Sequence, residues 1–81
     1  MSTEARIREF IHDTFLADDF GDDDSFLKTG LIDSTGMLEL VAFIEEAFAI
    51  EVQDSELLPA NLDSVRNLAR FVERKTQRAA E

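Results

Sequence analysis

The chain has 81 residues, of which 44% are hydrophobic, and it contains no cysteine. A chain of this length buries one modest core, which is too little for most enzymes that must wall their own pocket. Without cysteine it can form no disulfide, thiolate nucleophile or thiolate metal site. Because it shows no signal-peptide pattern and no long apolar run, we expect a cytoplasmic protein without a membrane span.

The net charge of −10 is concentrated in the middle of the chain. Residues 18–56 contain twelve acidic residues and a single base, Lys28, whereas the remainder contains six acidic and seven basic residues. Such an acidic segment repels phosphates, so a nucleic-acid partner is not expected. The charge favours partners with basic docking patches, although solubility alone would explain it equally well.

Helical spacing of apolar residues predicts a first helix over residues 3–16, with Ser2 or Thr3 as its cap. The apolar positions of this helix are Ile7, Phe10, Ile11 and Phe15. Residues 17–33 carry no helical stripe and are rich in Asp and Gly, which predicts a long loop with a short turn near Asp24 and Ser25. A loop of this length in a compact domain is usually functional or partly structured.

The second helix is predicted to begin at Asp33 and Ser34 and to end near Phe48. Its apolar stripe consists of Met37, Leu40, Val41, Ile44 and Phe48. The opposite side of the helix carries acidic residues, and two apolar residues flank that side. The residues concerned are Glu39, Ala42 and Glu46 on the outer side, with Leu38 and Phe43 beside them.

A short helix is predicted over residues 54–58 and is expected to stop at Pro59. The last helix is predicted to begin at Asp63 or Ser64 and to fray over residues 77–81. We therefore expect one all-α domain over residues 1–81. Its predicted architecture is a small four-helix bundle with three longer helices, one short helix and a long loop between helices 1 and 2.

The sequence fits neither a calcium loop nor a serine hydrolase site. A calcium loop built around Gly21 would need acidic ligands where Leu16 and Leu27 stand, so no metal site is expected. A serine hydrolase would need His12 as the base for Ser34. His12 is the single histidine and stands beside Asp13, which favours a surface or structural role, so the chain is not expected to be an enzyme.

The dipeptide Asp-Ser occurs four times, with its serine at 25, 34, 55 and 64. Both residue types cap helix N-termini well, so capping alone does not distinguish the four copies. Ser34 differs in its surroundings, because it opens the acidic second helix, whose N-terminus suits a phosphate. Gly36 costs about 1 kcal/mol relative to Ala inside a helix, and a bare position there would give close access to the first turn.

Residues 25–52, "SFLKTGLIDSTGMLELVAFIEEAFAIEV", contain an ordered set of features. These are Ser-Phe, then Asp-Ser at the head of an acidic helix, then Glu-Glu-x-Phe and an Ile/Val pair. With this set, the chain resembles the acyl carrier protein family, which includes peptidyl and aminoacyl carriers. The last helix, "LDSVRNLARFV", is also similar to the closing helix of the family.

The resemblance implies that Ser34 carries 4'-phosphopantetheine, attached from coenzyme A by a magnesium-dependent phosphopantetheinyl transferase, and that Asp33 helps to orient the transfer. It implies a monomeric shuttle that receives an acyl or aminoacyl group from a loading ligase and delivers it to enzymes with basic docking patches. The residues implied in docking or in contact with the arm and its cargo are Leu38, Glu39, Glu45, Glu46 and Val52.

Thr35 and Gly36 depart from the pattern of many fatty-acid carriers, in which Leu and an acidic residue follow the serine. "DSTG" is more similar to specialised discrete carriers, such as aminoacyl or D-alanyl carriers, than to the main fatty-acid carrier. An acidic helical adaptor, in which Ser34 is a plain cap, is the alternative from a different functional class.

Overall fold

The computed structural model describes residues 2–80, and side chains are described for residues 2–77. Three long helices are present, α1 (Thr3–Phe15), α3 (Ser34–Phe48) and α5 (Val65–Ala80). They are joined through two one-turn helices, α2 (Phe26–Thr29) and α4 (Pro59–Leu62), and a 3-10 turn (Asp54–Glu56). The all-α prediction is confirmed, and residues 2–80 contain no strand.

The core is built from every α-helix, and α5 packs against both α1 and α4. The buried apolar residues are Ile7, Ile11, Phe26, Ile32, Leu40, Ile44, Leu62, Val65, Leu68, Ala69, Phe71 and Val72. Phe26 is fully buried, so the long connection after α1 is pinned to the core at its only helical turn. Burial of an aromatic side chain of this size is among the larger single contributions to a small core.

Four phenylalanines form a continuous row along the seam between α1 and α3, and we call them the aromatic row. Phe10 stacks on Phe43 with ring centroids 4.1 Å apart and planes 13° apart. Phe15 lies edge-on to Phe10, and Phe48 lies edge-on to Phe43. The Arg6 guanidinium lies 4.5 Å from the centre of the Phe48 ring. The two helices are therefore antiparallel, because the first turns of α1 meet the last turn of α3.

The acidic loop after α1 is held by bases from two helices. Arg8 on α1 donates to the Asp22 carboxylate at 2.6 Å and to the Phe20 carbonyl at 2.9 Å. Arg66 on α5 pairs with Asp23 at 2.8 Å, and its backbone N–H donates to the Asp22 carbonyl at 2.9 Å. Single exposed ion pairs contribute little, but several contacts together hold the loop in one place. The expectation of a partly structured loop is confirmed.

Pro59 begins a helix, whereas we predicted that it would end one. It occupies the first position of α4, where a residue without an N–H leaves no hydrogen bond unmade. The preceding 3-10 turn already ends at Glu56. At the C-terminus, α5 continues through Ala80, and Glu81, the end of the predicted frayed segment, lies outside the described residues.

Candidate functional site

Asp33, and not Ser34, caps the start of α3. The Asp33 backbone is extended, its carboxylate Oδ1 accepts from the Gly36 N–H at 2.7 Å, and its carbonyl accepts from the Met37 N–H at 2.9 Å. Ser34 is the first residue of the helix and is exposed. Within the described part of the chain, no hydrogen bond involves its hydroxyl. The Ser34 Oγ is therefore presented to solvent at the N-terminus of a 15-residue helix.

This arrangement separates Ser34 from two of the other Asp-Ser serines. Ser25 accepts from the Lys28 N–H and caps α2, and Ser64 accepts from the Asn67 N–H and caps α5, both at 3.1 Å. In each of those pairs the serine hydroxyl closes the first turn of the helix. Ser34 does not perform this role, since Asp33 does. The expectation that capping treats all four copies alike is thus wrong, as is Ser34 as a plain cap in the adaptor alternative.

The remaining pair, Asp54-Ser55, lies inside the 3-10 turn and does not precede it. Gln53 is the residue before that turn, and its N–H donates to the Glu56 carboxylate at 2.9 Å. Ser55 is exposed, as Ser34 is, but it sits in the middle of a three-residue turn. It therefore lacks the N-terminus of a long helix, and it provides a matched control for Ser34.

Asp63, which lies between α4 and α5, stabilises the start of α2. Its carboxylate accepts from the Ser25 hydroxyl and, at 3.0 Å, from the Leu27 N–H. Its carbonyl accepts from the Phe26 N–H at 3.0 Å. These bonds join the start of α2 to the segment just before α5. Local sequence gave no sign of this link, because the two ends lie 38 residues apart.

Gly36 is buried, which corrects the expectation that its bareness gives access to the first turn. A Cβ at this position would lie 2.8 Å from Phe15 Cε1 and 2.9 Å from Ile32 Cγ2. Real Cβ atoms essentially never approach other atoms so closely. Gly36 therefore faces the core, where α1 packs against the first turn, and it does not form part of the exposed surface around Ser34.

The outer side of α3 is exposed, as its spacing predicted. Leu38 is 64% exposed, and Glu39 and Glu46 are also exposed. Neither carboxylate makes a hydrogen bond or ion pair with any side chain from residues 2–77. Phe43, which we had placed on the flank of this side, instead packs in the aromatic row.

Glu45 and Val52 are joined by a hydrogen bond that the sequence did not indicate. The Glu45 carboxylate accepts from the Val52 N–H at 3.0 Å, and both residues are half-buried. Ala49, between them, has a left-handed backbone that ends α3 and turns the chain back. The Glu45 side chain thus fixes the connection that follows the helix.

His12 is an exposed residue placed between two carboxylates, which agrees with the expectation of a surface histidine. Its Nδ1 lies 3.0 Å from Asp13 and its Nε2 lies 2.6 Å from Asp18. The hydrogen bond with Asp13, followed by the charge of Asp18, raises the pKa of His12 above its ordinary value of 6.5. With both ring nitrogens facing acids, His12 is not placed to act as a base for Ser34.

No group of three or more His, Asp or Glu side chains among the described residues is arranged to hold a metal ion. Nor does any helix within residues 2–80 have both the length and the apolar character needed to cross a membrane.

Residues 5–72 match the model of a protein family described as "phosphopantetheine attachment site". The match extends from the first turn of α1 into the middle of α5, so it includes the whole α3 region. No curated protein matches the chain. Since the family model covers most of its length, the chain belongs to the phosphopantetheine-attachment family.

Membership of this family confirms the resemblance of residues 25–52 to carrier proteins. The domain is an attachment site for covalently bound 4'-phosphopantetheine, and the chain is a carrier that bears this group. Domains of this family act as acyl carriers rather than as catalysts. A carrier of this kind interacts with a phosphopantetheinyl transferase and with biosynthetic enzymes.

Proposed function

We propose that Ser34 is the residue to which 4'-phosphopantetheine is attached. The observation that carries this proposal is that Asp33, and not Ser34, caps the start of α3. Asp33 closes the first turn, so the Ser34 hydroxyl is exposed and free of any hydrogen bond within the described residues. A nucleophilic hydroxyl must be accessible and unoccupied to react, and Ser34 meets both requirements at the head of a long helix.

The surroundings of Ser34 fit the group that it would receive. In the transfer, the Ser34 oxygen forms a bond to the phosphorus that bears pantetheine in coenzyme A. The bond from that phosphorus to the adenosine bisphosphate half breaks, that half leaves, and the hydroxyl proton passes to the transferase or to solvent. The resulting phosphodiester anion would be held at the positive end of the α3 dipole, where the first N–H groups lack helical partners.

Asp33 is suited to the orienting role that the resemblance gives it. One oxygen of its carboxylate is fixed by the Gly36 N–H. The second oxygen has no hydrogen bond within the described part of the chain, so it is available to the transferase or to the magnesium ion that the transferase uses. A carboxylate that is held in place by its cap bond offers that oxygen in a defined direction.

The activity that follows is that of a shuttle, and we propose that the chain itself catalyses no reaction. When bound, the arm supplies the thiol on which an acyl or aminoacyl group is carried as a thioester, and the chain has no thiol of its own. The residues of the chain hold the arm at one place on a compact helical body and present it to partner enzymes. We further propose that the shuttle is monomeric and cytoplasmic.

Partner enzymes are proposed to dock on the outer side of α3. Leu38, Glu39 and Glu46 are exposed there, and this combination of an apolar contact with free carboxylates complements a basic, partly apolar patch. Glu45 and Val52 adjoin the end of the same helix, and Val52 is held by the Glu45 carboxylate. Electrostatic attraction of this type speeds encounter and still permits rapid release.

We propose a specialised discrete carrier rather than the main carrier of fatty-acid synthesis. The identity of Gly36 follows from its packing against Phe15 and Ile32, so it does not bear on the cargo. Thr35 is exposed beside Ser34 and remains the difference from the common fatty-acid pattern. Mass analysis of the arm released from native cells tests this point, and a long straight-chain fatty acyl group on most of the protein would contradict it.

The attachment itself is tested by mass spectrometry of the intact chain. Incubation with coenzyme A, magnesium and a broad-specificity transferase should add about 340 Da, the mass of phosphopantetheine less one water. The Ser34→Ala variant should gain nothing, whereas Ser55→Ala should be modified as fully as the unaltered chain. An unchanged mass with several transferases would contradict the proposal and would favour the adaptor, which predicts an unmodified protein in a stable partner complex.

A further inference from the structure

The first turn of α3 has an exposed side and a side pressed onto the core. Asp33, Ser34 and Thr35 are exposed, whereas Gly36 is buried. The space that a side chain would fill at position 36 is taken by the ring edge of Phe15, whose Cε1 would lie 2.8 Å from an added Cβ. The ring of Phe15 therefore rests directly against the bare backbone two residues after Ser34.

Phe15 is itself held in place from the other side. It is the last residue of α1, and its ring lies edge-on to Phe10, with centroids 6.1 Å apart. Phe10 in turn stacks on Phe43, which belongs to α3. The contact of Phe15 with the start of α3 and the contact of Phe10 with its middle thus join the same two helices at two points along the seam.

Two points of contact define where the first turn of α3 lies relative to α1, because a densely packed seam admits few alternative arrangements. With the middle of α3 fixed by the aromatic stack, the Phe15 ring sets how closely its first turn approaches the core. A larger residue at position 36 would move this turn outward. A smaller residue at position 15 would remove its support from α1 and leave Ile32 as the apolar side chain beside Gly36.

We propose that Phe15 is a positioning residue for Ser34: its ring, seated against Gly36, fixes the first turn of α3 and with it the direction in which the Ser34 hydroxyl is offered to the transferase. This inference rests on the proposed attachment at Ser34. Its consequence is kinetic, because a nucleophile displaced by a fraction of an ångström to an ångström loses much of its rate advantage in a shaped active site.

The test compares two variants that each remove a half-buried phenylalanine from one end of the aromatic row. Phe15→Ala removes the ring that touches the first turn of α3, and Phe48→Ala removes the ring at the last turn of α3, which lies edge-on to Phe43. Both are studied well below their melting temperatures, with circular dichroism to show that each is folded. Transfer from coenzyme A is followed to obtain kcat and KM, and amide NMR spectra of the unmodified chains are recorded for Ser34, Thr35 and Gly36.

We expect kcat/KM to fall about tenfold in Phe15→Ala, and mainly through kcat, while Phe48→Ala stays within about twofold of the unaltered chain. Phe15→Leu, which restores apolar bulk against Gly36, should recover most of the loss. The amide signals at positions 34–36 should shift or broaden in Phe15→Ala and not in Phe48→Ala.

Equal losses in the two variants, or unperturbed amides at positions 34–36 in Phe15→Ala, would overturn the positioning role. The NMR comparison needs no modification, so it decides the role of Phe15 even if Ser34 is not the attachment site. Failure of the unaltered chain to gain mass would instead overturn the proposed function alone.

Discussion

The inner and outer sides of α3 differ in almost every physical respect, although they alternate along the same 15 residues. On the inner side, Gly36, Leu40 and Ile44 are buried against α1 and α5. On the outer side, Leu38 and Glu39 are exposed, and Glu39 has no hydrogen bond or ion pair with the described side chains. The inner side holds the helix in the fold, and the outer side is accessible to other proteins.

This contrast shows how a small carrier can combine a rigid site with an adaptable surface. The inner contacts need partners within the chain, so substitutions there change the free energy of unfolding. The outer residues contribute little to folding, so substitutions there should change encounters with other proteins. Ser34 is exposed, as the outer residues are. Its position nevertheless depends on the inner side, because Gly36, two residues later, packs against Phe15 and Ile32. The following predictions test that division, beginning with the largest expected effect.

Replacing Ile44 by Ala should lower the free energy of unfolding by about 2–5 kcal/mol, because it leaves a cavity in the core. Ile44 is fully buried, whereas Leu38, on the outer side, is 64% exposed. Leu38→Ala should therefore change the free energy by less than about 0.5 kcal/mol. Chemical denaturation followed by circular dichroism measures both values. Similar losses in the two variants would remove the distinction between the sides.

Glu45 and Glu46 are adjacent acids that should respond differently to the same change. Glu45→Ala removes the acceptor of the Val52 N–H and should cost about 1.5 kcal/mol of stability. Glu46→Ala removes an exposed carboxylate and should be neutral within about 0.5 kcal/mol. Glu45→Gln keeps an acceptor oxygen and loses the charge, so it should retain most of the stability.

The same acids should show the reverse order in binding to a basic partner. A partner enzyme whose affinity falls for Glu46→Ala and not for Glu45→Gln would support Glu46 as a docking residue and Glu45 as a residue that holds Val52. If Glu46→Ala destabilised the fold as much as Glu45→Ala, the structural difference between them would be refuted.

Asp33 should combine a role in folding with one in transfer, and two substitutions separate them. Asp33→Ala removes the cap and should cost about 1 kcal/mol. Asp33→Ser retains a good capping residue and removes the carboxylate. If the carboxylate orients the transfer, Asp33→Ser should be stable and yet modified slowly. Normal transfer rates in a stable Asp33→Ser variant would restrict Asp33 to capping.

The smallest effect concerns His12, which lies outside α3 and tests whether the charged surface influences folding at all. Its pKa is raised by the hydrogen bond with Asp13 and by the charge of Asp18. A raised pKa means that protonated His12 adds stability below its ordinary value of 6.5, and that this stability is lost as the pH rises through the raised value. The melting temperature of the unaltered chain should therefore exceed that of His12→Gln at acidic pH and converge with it at alkaline pH. A constant difference would contradict this assignment.

The long helices could be predicted from the sequence because their apolar residues recur with a clear period. The outer side of α3 followed from the same period, and Leu38 and Glu39 lie where it placed them. Ser34 was proposed as the attachment residue from the ordered pattern of residues 25–52. The Asp33 cap, which leaves the Ser34 hydroxyl exposed, supports that proposal.

The features that escaped the sequence all depend on contacts between distant parts of the chain. Gly36 was interpreted as an accessible position because nothing local shows that Phe15, 21 residues earlier, fills the space beside it. The last helix was expected to begin at Asp63 or Ser64. Ser64 caps it, and the Asp63 carboxylate accepts a hydrogen bond from α2, which local sequence did not indicate. Pro59 was expected to stop a helix and instead begins one. A proline is compatible with the start of a helix and with the residues after its end, and the buried Leu62 at the end of α4 packs in the core.

The aromatic row also has an optical consequence. The chain contains no tryptophan or tyrosine, so its seven phenylalanines are its only aromatic chromophores. Four of the seven lie in the row, and Phe10 and Phe43 are stacked within it. Near-ultraviolet circular dichroism, which requires a fixed asymmetric environment, should therefore include a contribution from the seam between α1 and α3, beside that of the buried Phe26 and Phe71. This label-free signal can be recorded while a partner occupies the opposite side of α3.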